Sequence, residues 1–260
     1  MEIFLSYSEI PRGKAPIVLT IGNFDAVHSG HSTVLHRARE VADQVDGALY
    51  VLTFISHPSE VLRPGSTPPM LCTETHKLKL LQEQRVGGVI LLEFTLAFSQ
   101  QTATQFLFSL HQLQPFFALI LGYDARIGND RQGNSTLMKQ LANELSFKLE
   151  YLPPYICQGL TVSSSAIRQA VSSGDFALAE MMLGRKFSIF SSGTIVPEMA
   201  CLTIEVKGLC LPPLGIYPIK IYHEGKTTVG RGIVGLTSLT IELLRDDPSL
   251  EGKVVEVVFN

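Results

Sequence analysis

Apolar and polar positions along this chain follow two different rhythms. Ile17–Ile21 is a short unbroken run of β-branched and aliphatic residues, the pattern of a strand buried on both faces. Beyond it, Val34, Leu35, Ala38, Val41, Ala42 and Val45 recur at helical spacing up to Gly47, a C-terminal stop. The same pair of patterns then repeats. Ala48–Phe54 predicts a second strand and Val89–Leu92 a third. Between them a Pro/Gly/Ser-rich loop from Pro64 to Pro69 precedes a helix opened by Thr73 and carrying Leu78, Leu80 and Leu81. A helix from Thr102 or Thr104 through Phe106, Leu107 and Leu110 leads to a fourth strand, Phe117–Gly122. Leu137, Leu141, Ala142 and Leu145 mark the next helix, and Lys148–Leu152 a fifth strand. Regular alternation of this kind predicts an α/β domain, a Rossmann-like parallel sheet with helices on both faces and right-handed crossovers. Two short helices follow, one from Ser164 or Ser165 to Val171 and one from Asp175 to Leu183.

Near Lys186 the rhythm changes. Ile216–Tyr222 and Val254–Phe259 are strand-like, with Glu224-Gly225, Gly230 and Gly235 read as turn signals between short runs. This predicts a small β-barrel or sandwich, and divides the chain into a domain over 1–185 and a smaller one over 186–260.

Composition adds bounds. The 260 residues are 45% hydrophobic and 17% charged, which suits two filled cores. A net charge of −3 and a pI of 6.2 give no electrostatic case for a nucleic-acid or membrane-surface partner. No window approaches the roughly 18 apolar residues of a membrane span. Met1-Glu2-Ile3 lacks the basic-then-apolar order of a signal peptide, so a cytoplasmic location is expected. Cys72, Cys157, Cys201 and Cys210 are scattered, which argues for reduced thiols rather than a zinc site or redox pair.

The candidate chemistry sits at the end of the first strand. Gly22 lets the backbone turn, and His28, Gly30 and His31 fall where the following helix begins. Open α/β sheets bind ligands at such points, where free amides and the helix dipole suit phosphate. Gly30 lets a nucleotide approach the backbone. His28 and His31 can donate hydrogen bonds to phosphate oxygens and stabilise charge building up at an α-phosphorus. A second candidate lies at Thr161–Arg168. Ser163 or Ser164 can cap a helix and offer hydroxyls and free amides to an anion, with Ser165 beside them and Arg168 one turn in.

The string Gly22-Asn23-Phe24-Asp25-Ala26-Val27-His28-Ser29-Gly30-His31 resembles the nucleotidyltransferase signature of bacterial FAD synthetases, the bifunctional riboflavin kinase/FMN adenylyltransferase family. That family usually carries glycine where this chain has Ala26, and a larger residue at Ser29. Thr161–Arg168 resembles the Ile-Ser-Ser-Thr-x-Ile-Arg motif of the same superfamily, with Val162 and Ser165 as departures. Thr53–Pro58 is similar to the family's Thr-Phe-x-Pro-His-Pro, with Ser56 in place of a proline. Gly122–Gly133 is similar to its Gly-x-Asp-Phe-x-Phe-Gly-x-x-Arg-x-Gly loop, with Ala125 and Ile127 in place of two aromatics. The resemblance covers about residues 15–190 well.

It implies transfer of AMP from ATP to FMN, giving FAD and pyrophosphate, with ATP and FMN as small-molecule substrates and Mg²⁺ expected on the phosphates. His28 and His31 would steady the α-phosphate, Asn23 would orient phosphate, and Arg168 with the serines would hold the β/γ end. Gly22, Phe24, Asp25 and Gly30 would bind nucleotide through the same motif. His57, Pro58, Asp124, Arg126 and Ile127 would line the flavin and nucleotide region, Ile127 offering an apolar surface. In the C-terminal part, Leu214–Tyr217 resembles a strand of the riboflavin kinase barrel, and Thr240–Leu244 the segment bearing its proposed catalytic glutamate, here Glu242. The family's Gly-Phe-Pro-Thr-Ala-Asn motif has no counterpart. Glu198-Met199-Ala200-Cys201 holds its place, and Met and Cys offer no hard oxygen to magnesium. Three alternatives remain open at this point: a fully bifunctional enzyme, a nucleotidyltransferase with another acceptor, and a non-catalytic flavin-binding protein.

Overall fold

The structure is a computed structural model describing residues 1–11, 13, 15–129, 132–196, 201–243 and 250–260. In chain order its first half holds β1 (Glu2–Phe4), β2 (Ile17–Ile21), α1 (Ser29–Asp43), β3 (Ala48–Phe54), α2 (Ser59–Leu62) and α3 (Glu74–Glu83). Next come β4 (Gly88–Leu92), α4 (Leu96–Ser99), α5 (Ala103–Leu113), β5 (Ala118–Gly122), α6 (Ser135–Glu144) and β6 (Lys148–Leu152). The hairpin β7 (Ile156–Cys157) and β8 (Leu160–Thr161) precedes α7 (Ser164–Ser172) and α8 (Phe176–Leu183). The remainder is all strand: β9 (Ser188–Val196), β10 (Cys201–Glu205), β11 (Gly215–His223), β12 (Lys226–Val234), β13 (Ser238–Leu243) and β14 (Val254–Phe259).

These elements form two compact units, residues 1–24, 30–68 and 80–155 in the first and 25–29, 69–79 and 156–260 in the second. The first unit is a parallel sheet in the order β1-β4-β3-β2-β5-β6. The continuous apolar runs of β2, β3 and β5 are buried on both faces, and the stripe Val34, Leu35, Ala38, Val41 and Ala42 is the buried side of α1. From β2 the chain moves one way to β3 and later returns to place β5 on the other flank of β2. The carboxyl ends of β2 and β5 therefore flank a topological switch, the usual place for a ligand crevice in such sheets.

Three features of this unit differ from the periodicity. The edge strand β1 pairs with β4, which makes six strands rather than five. Three residues are too few to show an alternation. The four-residue helices α2 and α4 fall where the periodicity marks no element, and α4 is capped by the Thr95 hydroxyl accepting from the Phe98 amide. Of the two threonines considered for α5, Thr102 is the cap, in a reciprocal capping box with Gln105.

The second unit is built on a closed antiparallel barrel ordered β10-β13-β12-β11-β14-β9. Alternate residues point inward, with Leu202, Ile204, Ile219, Ile221, Leu239, Ile241, Val255 and Val257 filling the core. Gly230 separates nothing: β12 runs through it from Lys226 to Val234. A Cβ there would lie 2.6 Å from the Glu242 carbonyl oxygen, so the glycine permits close approach of neighbouring strands as the barrel curves.

Candidate active site

The site grows out of the end of β2. The Gly22 amide donates to the Leu52 carbonyl at 3.1 Å, extending the β2–β3 pairing by one bond. Glycine is needed here for space, since a Cβ would stand 3.1 Å from Cε2 of Phe24. The left-handed backbone comes next: φ is 48° at Phe24, 60° at Ala26 and 40° at Val27. Each costs a non-glycine residue about 1 kcal/mol or more, and a β-branched residue such as Val27 is a marked outlier. The Phe24 ring is 2% exposed and packs against the His31 ring, centroids 5.0 Å apart. His31 follows Gly30 in the first turn of α1. The Asn23 carbonyl accepts from the Thr53 hydroxyl at 3.1 Å, while its side-chain Oδ1 is buried with no partner among the described residues.

Within the second unit the same turn is braced on every side. Asp25, 1% exposed, accepts from the Leu71 amide at 3.0 and 3.2 Å and from Arg168 Nη2 at 2.6 Å. Arg168 Nε donates to the Pro69 carbonyl at 2.6 Å. The Ala26 amide donates to Cys72 Sγ at 3.1 Å, and the Ala26 carbonyl accepts from Arg185 Nη2 at 2.6 Å. Arg185 Nη1 reaches the Val27 and Leu183 carbonyls, each at 3.4 Å. Burial, and then the Asp25 carboxylate, push the Cys72 thiol up to about 12, so it stays protonated and unreactive. His28 is 6% exposed. Burial, and then the Arg185 charge, lower its pKa to about 4. At neutral pH it is an uncharged imidazole, able to donate one ring N–H.

Ser163 caps α7, its hydroxyl accepting from the Ala166 amide at 3.2 Å, with Ser164 and Ser165 in the first turn. Arg168 lies one turn further, its guanidinium directed at Asp25 and Pro69.

In the first unit, His57 Nδ1 accepts from the Ser59 amide at 3.1 Å and helps open α2, with Pro58 at the helix-capping position. Asp124 is exposed in the turn after β5, and Arg126 donates back to the Tyr123 and Ala125 carbonyls. Ile127 is a correction. It is 8% exposed, belongs to the core of the unit and pairs through its backbone with Gly133, so it offers no open apolar surface. The glycines of this loop are structural: at φ +85°, a Cβ on Gly128 would collide with the backbone of Ala103 at the start of α5. Asp130 and Arg131, in the same motif, lie outside the described residues.

On the barrel, Glu242 stands on β13 opposite Arg231 of β12, and their charged groups form a 2.6 Å ion pair. Its partner on the other side is Cys201, which is buried. Glu198, Met199 and Ala200 lie outside the described residues.

Sequence reasoning missed Arg185 and Cys72. Both act on the backbone of the turn from remote positions, and no local motif marks either.

A parallel sheet whose switch point carries a histidine-bearing helix start defines a nucleotide-binding α/β protein, here with a barrel-based second unit. Residues 10–166 match the family model described as FAD synthetase. The chain is 34% identical over 261 residues to the bifunctional riboflavin kinase/FMN adenylyltransferase of Escherichia coli K12, covering 93% of this chain and 82% of that protein. It is 30% identical to the protein of the same name from Haemophilus influenzae, covering 93% and 83%. A solved structure described as a macrolide-efflux protein from Streptococcus pneumoniae superimposes with a TM-score of 0.83 at 19% identity, over 99% of this chain and 88% of that one. That likeness speaks to the fold alone. The chain belongs to the FAD synthetase family.

Proposed function

We propose that this chain makes FAD by adenylyl transfer, with the Gly22–His31 turn as its catalytic element. It is an FMN adenylyltransferase, a nucleotidyltransferase that uses ATP and FMN as substrates. The observation that carries the catalytic assignment is the turn itself. It combines left-handed backbone, a buried carboxylate and a buried neutral histidine, and partners from distant parts of the chain hold Asp25, Ala26 and Val27 in place.

In the reaction a phosphate oxygen of FMN attacks the α-phosphorus of ATP. The bond to the β-phosphate oxygen breaks and pyrophosphate leaves with that electron pair. No covalent enzyme intermediate is needed, so orientation and charge stabilisation carry the rate. His28 and His31 donate to the α-phosphate oxygens as negative charge grows there. The side-chain NH₂ of Asn23 donates to a phosphate oxygen and orients it, and Gly30 leaves its backbone open to the nucleotide. The serines at the start of α7 hold the β/γ end. Magnesium travels with ATP. When bound it would neutralise charge on the phosphates during transfer.

Arg168 is assigned to the triphosphate as well. Replacing it with alanine would strand the buried Asp25 at a cost of about 3–5 kcal/mol, so lysine is the cleaner variant. Arg168→Lys should weaken ATP binding more than FMN binding by calorimetry, because a point charge replaces a planar fork. Equal losses would assign the residue to the fold instead.

We assign adenylyl transfer to residues 1–185, and residues 186–260 to a shortened barrel that does not phosphorylate riboflavin. Glu242 is engaged by Arg231, and Met199 and Cys201 supply no hard ligand for magnesium. We place the enzyme in the cytoplasm, in keeping with its four free cysteines and with the absence of any described helix long and apolar enough to cross a membrane. Incubation with ATP, Mg²⁺ and FMN should give FAD, and riboflavin with ATP should give no FMN. FMN made from riboflavin at a comparable rate would establish a bifunctional enzyme. Failure to adenylylate FMN would point to another acceptor.

A further inference from the structure

We propose that Arg185 is a positioning residue for adenylyl transfer, its guanidinium fixing the carbonyls of Ala26 and Val27 and through them the place of His28. The proposal rests on the role assigned above to the histidine turn. Two consecutive left-handed residues break the short 3₁₀ turn Asp25–Val27 and present the Ala26 and Val27 carbonyls to Arg185. Both residues are buried, so these oxygens need a donor from elsewhere. Arg185 supplies it at 2.6 Å to Ala26 and 3.4 Å to Val27, with a third contact at 3.4 Å to Leu183. A planar fork suits several carbonyls in fixed register, as a lysine ammonium does not.

The arginine is itself aimed by local structure. The helix α8 ends at Gly184, whose left-handed φ of 74° turns the chain just before Arg185. A Cβ on Gly184 would meet the Ser29 hydroxyl at 3.1 Å, so the end of α8 lies directly against the residue that follows His28. Val27 is the residue before His28, and both flanks of the histidine are therefore set by the Gly184-Arg185 corner. The charged groups that face His28 are Arg185 and Arg168, and both favour its neutral form.

The test uses the full chain with FMN and ATP, comparing Arg185→Ala, Arg185→Lys, His28→Ala and the double variants. Arg185→Ala should lower kcat roughly a hundredfold, the usual result of misplacing a catalytic group by about 1 Å, with KM for FMN changed far less. Arg185→Lys should restore part of that loss. In the His28→Ala background the Arg185 substitution should cost little more, because the two act as a unit. Titration of the His28 ring by NMR should move up from about 4 when the arginine is removed. Should the alanine variant not fold, the lysine variant carries the same cycle. The proposal is overturned if Arg185→Ala keeps normal kcat while His28→Ala is impaired, or if its cost is undiminished without His28. If His28→Ala itself keeps full activity, the assignment of the histidine falls first and takes the proposal with it.

Discussion

Two regions of this molecule carry candidate catalytic residues, and they are built in opposite ways. The turn from Phe24 to His28 is expensive at every position: left-handed backbone at Phe24, Ala26 and Val27, a carboxylate buried at Asp25 and an imidazole held neutral at His28. At Asp25 and Ala26 the cost is offset by partners remote in sequence, Leu71, Cys72, Arg168 and Arg185. On the barrel, Glu242 costs less, although its Oε2 is buried and, among the described residues, rests on the ion pair alone. It is a partly exposed carboxylate paired across neighbouring strands with an exposed arginine, an arrangement any solvent-facing sheet can hold. Strain and buried charge gathered in a few consecutive residues are a sign of a site, and the turn gathers them where the strand pair holding Glu242 does not.

The sharpest way to break the contrast is His31→Ala. Its contact with Phe24 is worth about 0.5–1.5 kcal/mol, so the variant should remain folded. Loss of a transition-state donor should lower FAD formation by at least about a hundredfold. Near-normal turnover in a folded protein would put His31 on the same footing as Glu242.

How much of this could be read in advance follows from where each signal resides. The strands Ile17–Ile21, Ala48–Phe54, Lys148–Leu152 and Val254–Phe259 were legible because long apolar or alternating runs carry their own period. Glu2–Phe4 was not, since an edge strand of three residues takes its identity from β4. Gly230 misled because glycine weakens a strand locally, while in a barrel it is the closeness of the next strand that selects it. The histidine turn was visible as a motif, and at Ala26, where the family usually carries glycine, the structure has a left-handed φ of 60°. Arg185 and Cys72 were invisible. They bind backbone atoms of the turn from 159 and 46 residues away, and such contacts leave no periodicity.

A second, smaller effect is expected in acid. The His28 pKa of about 4 lies below its unfolded value near 6.5, so the unfolded state binds more protons between those limits. Stability from this group is complete above about pH 6.5 and lost as the pH falls toward 4, by about 3 kcal/mol. Burial lowers the pKa of His76 in the second unit as well, and it adds in the same direction. Denaturant unfolding at pH 7.5 and 4.5 should show the decline, and His28→Asn should remove a share of it. An unchanged slope in that variant would mean the ring is not held neutral.

Ala26→Gly probes the strain directly. Relief of the left-handed alanine favours the variant by about 1 kcal/mol, and loss of a buried methyl opposes it by about 0.8. The result should be neutral to slightly stabilising. Ala142→Gly, on the buried side of α6, should instead cost about 1 kcal/mol or more. Equal destabilisation of both would remove the turn's claim to stored strain.

The smallest effect belongs to Glu242→Gln. With side chains 64% and 42% exposed, the Arg231–Glu242 pair is worth about 0–1 kcal/mol, screened by salt. The variant should unfold within about 0.5 kcal/mol of the parent and form FAD at the same rate. It should also leave the riboflavin reaction as it was, at background. Should the parent instead make FMN above background, and this change abolish it, the carboxylate would be a base after all, released from Arg231 when riboflavin and ATP bind. A half-exposed residue would then be catalytic without any visible strain, and burial and strain would be signs of adenylyl transfer here rather than of catalysis in general.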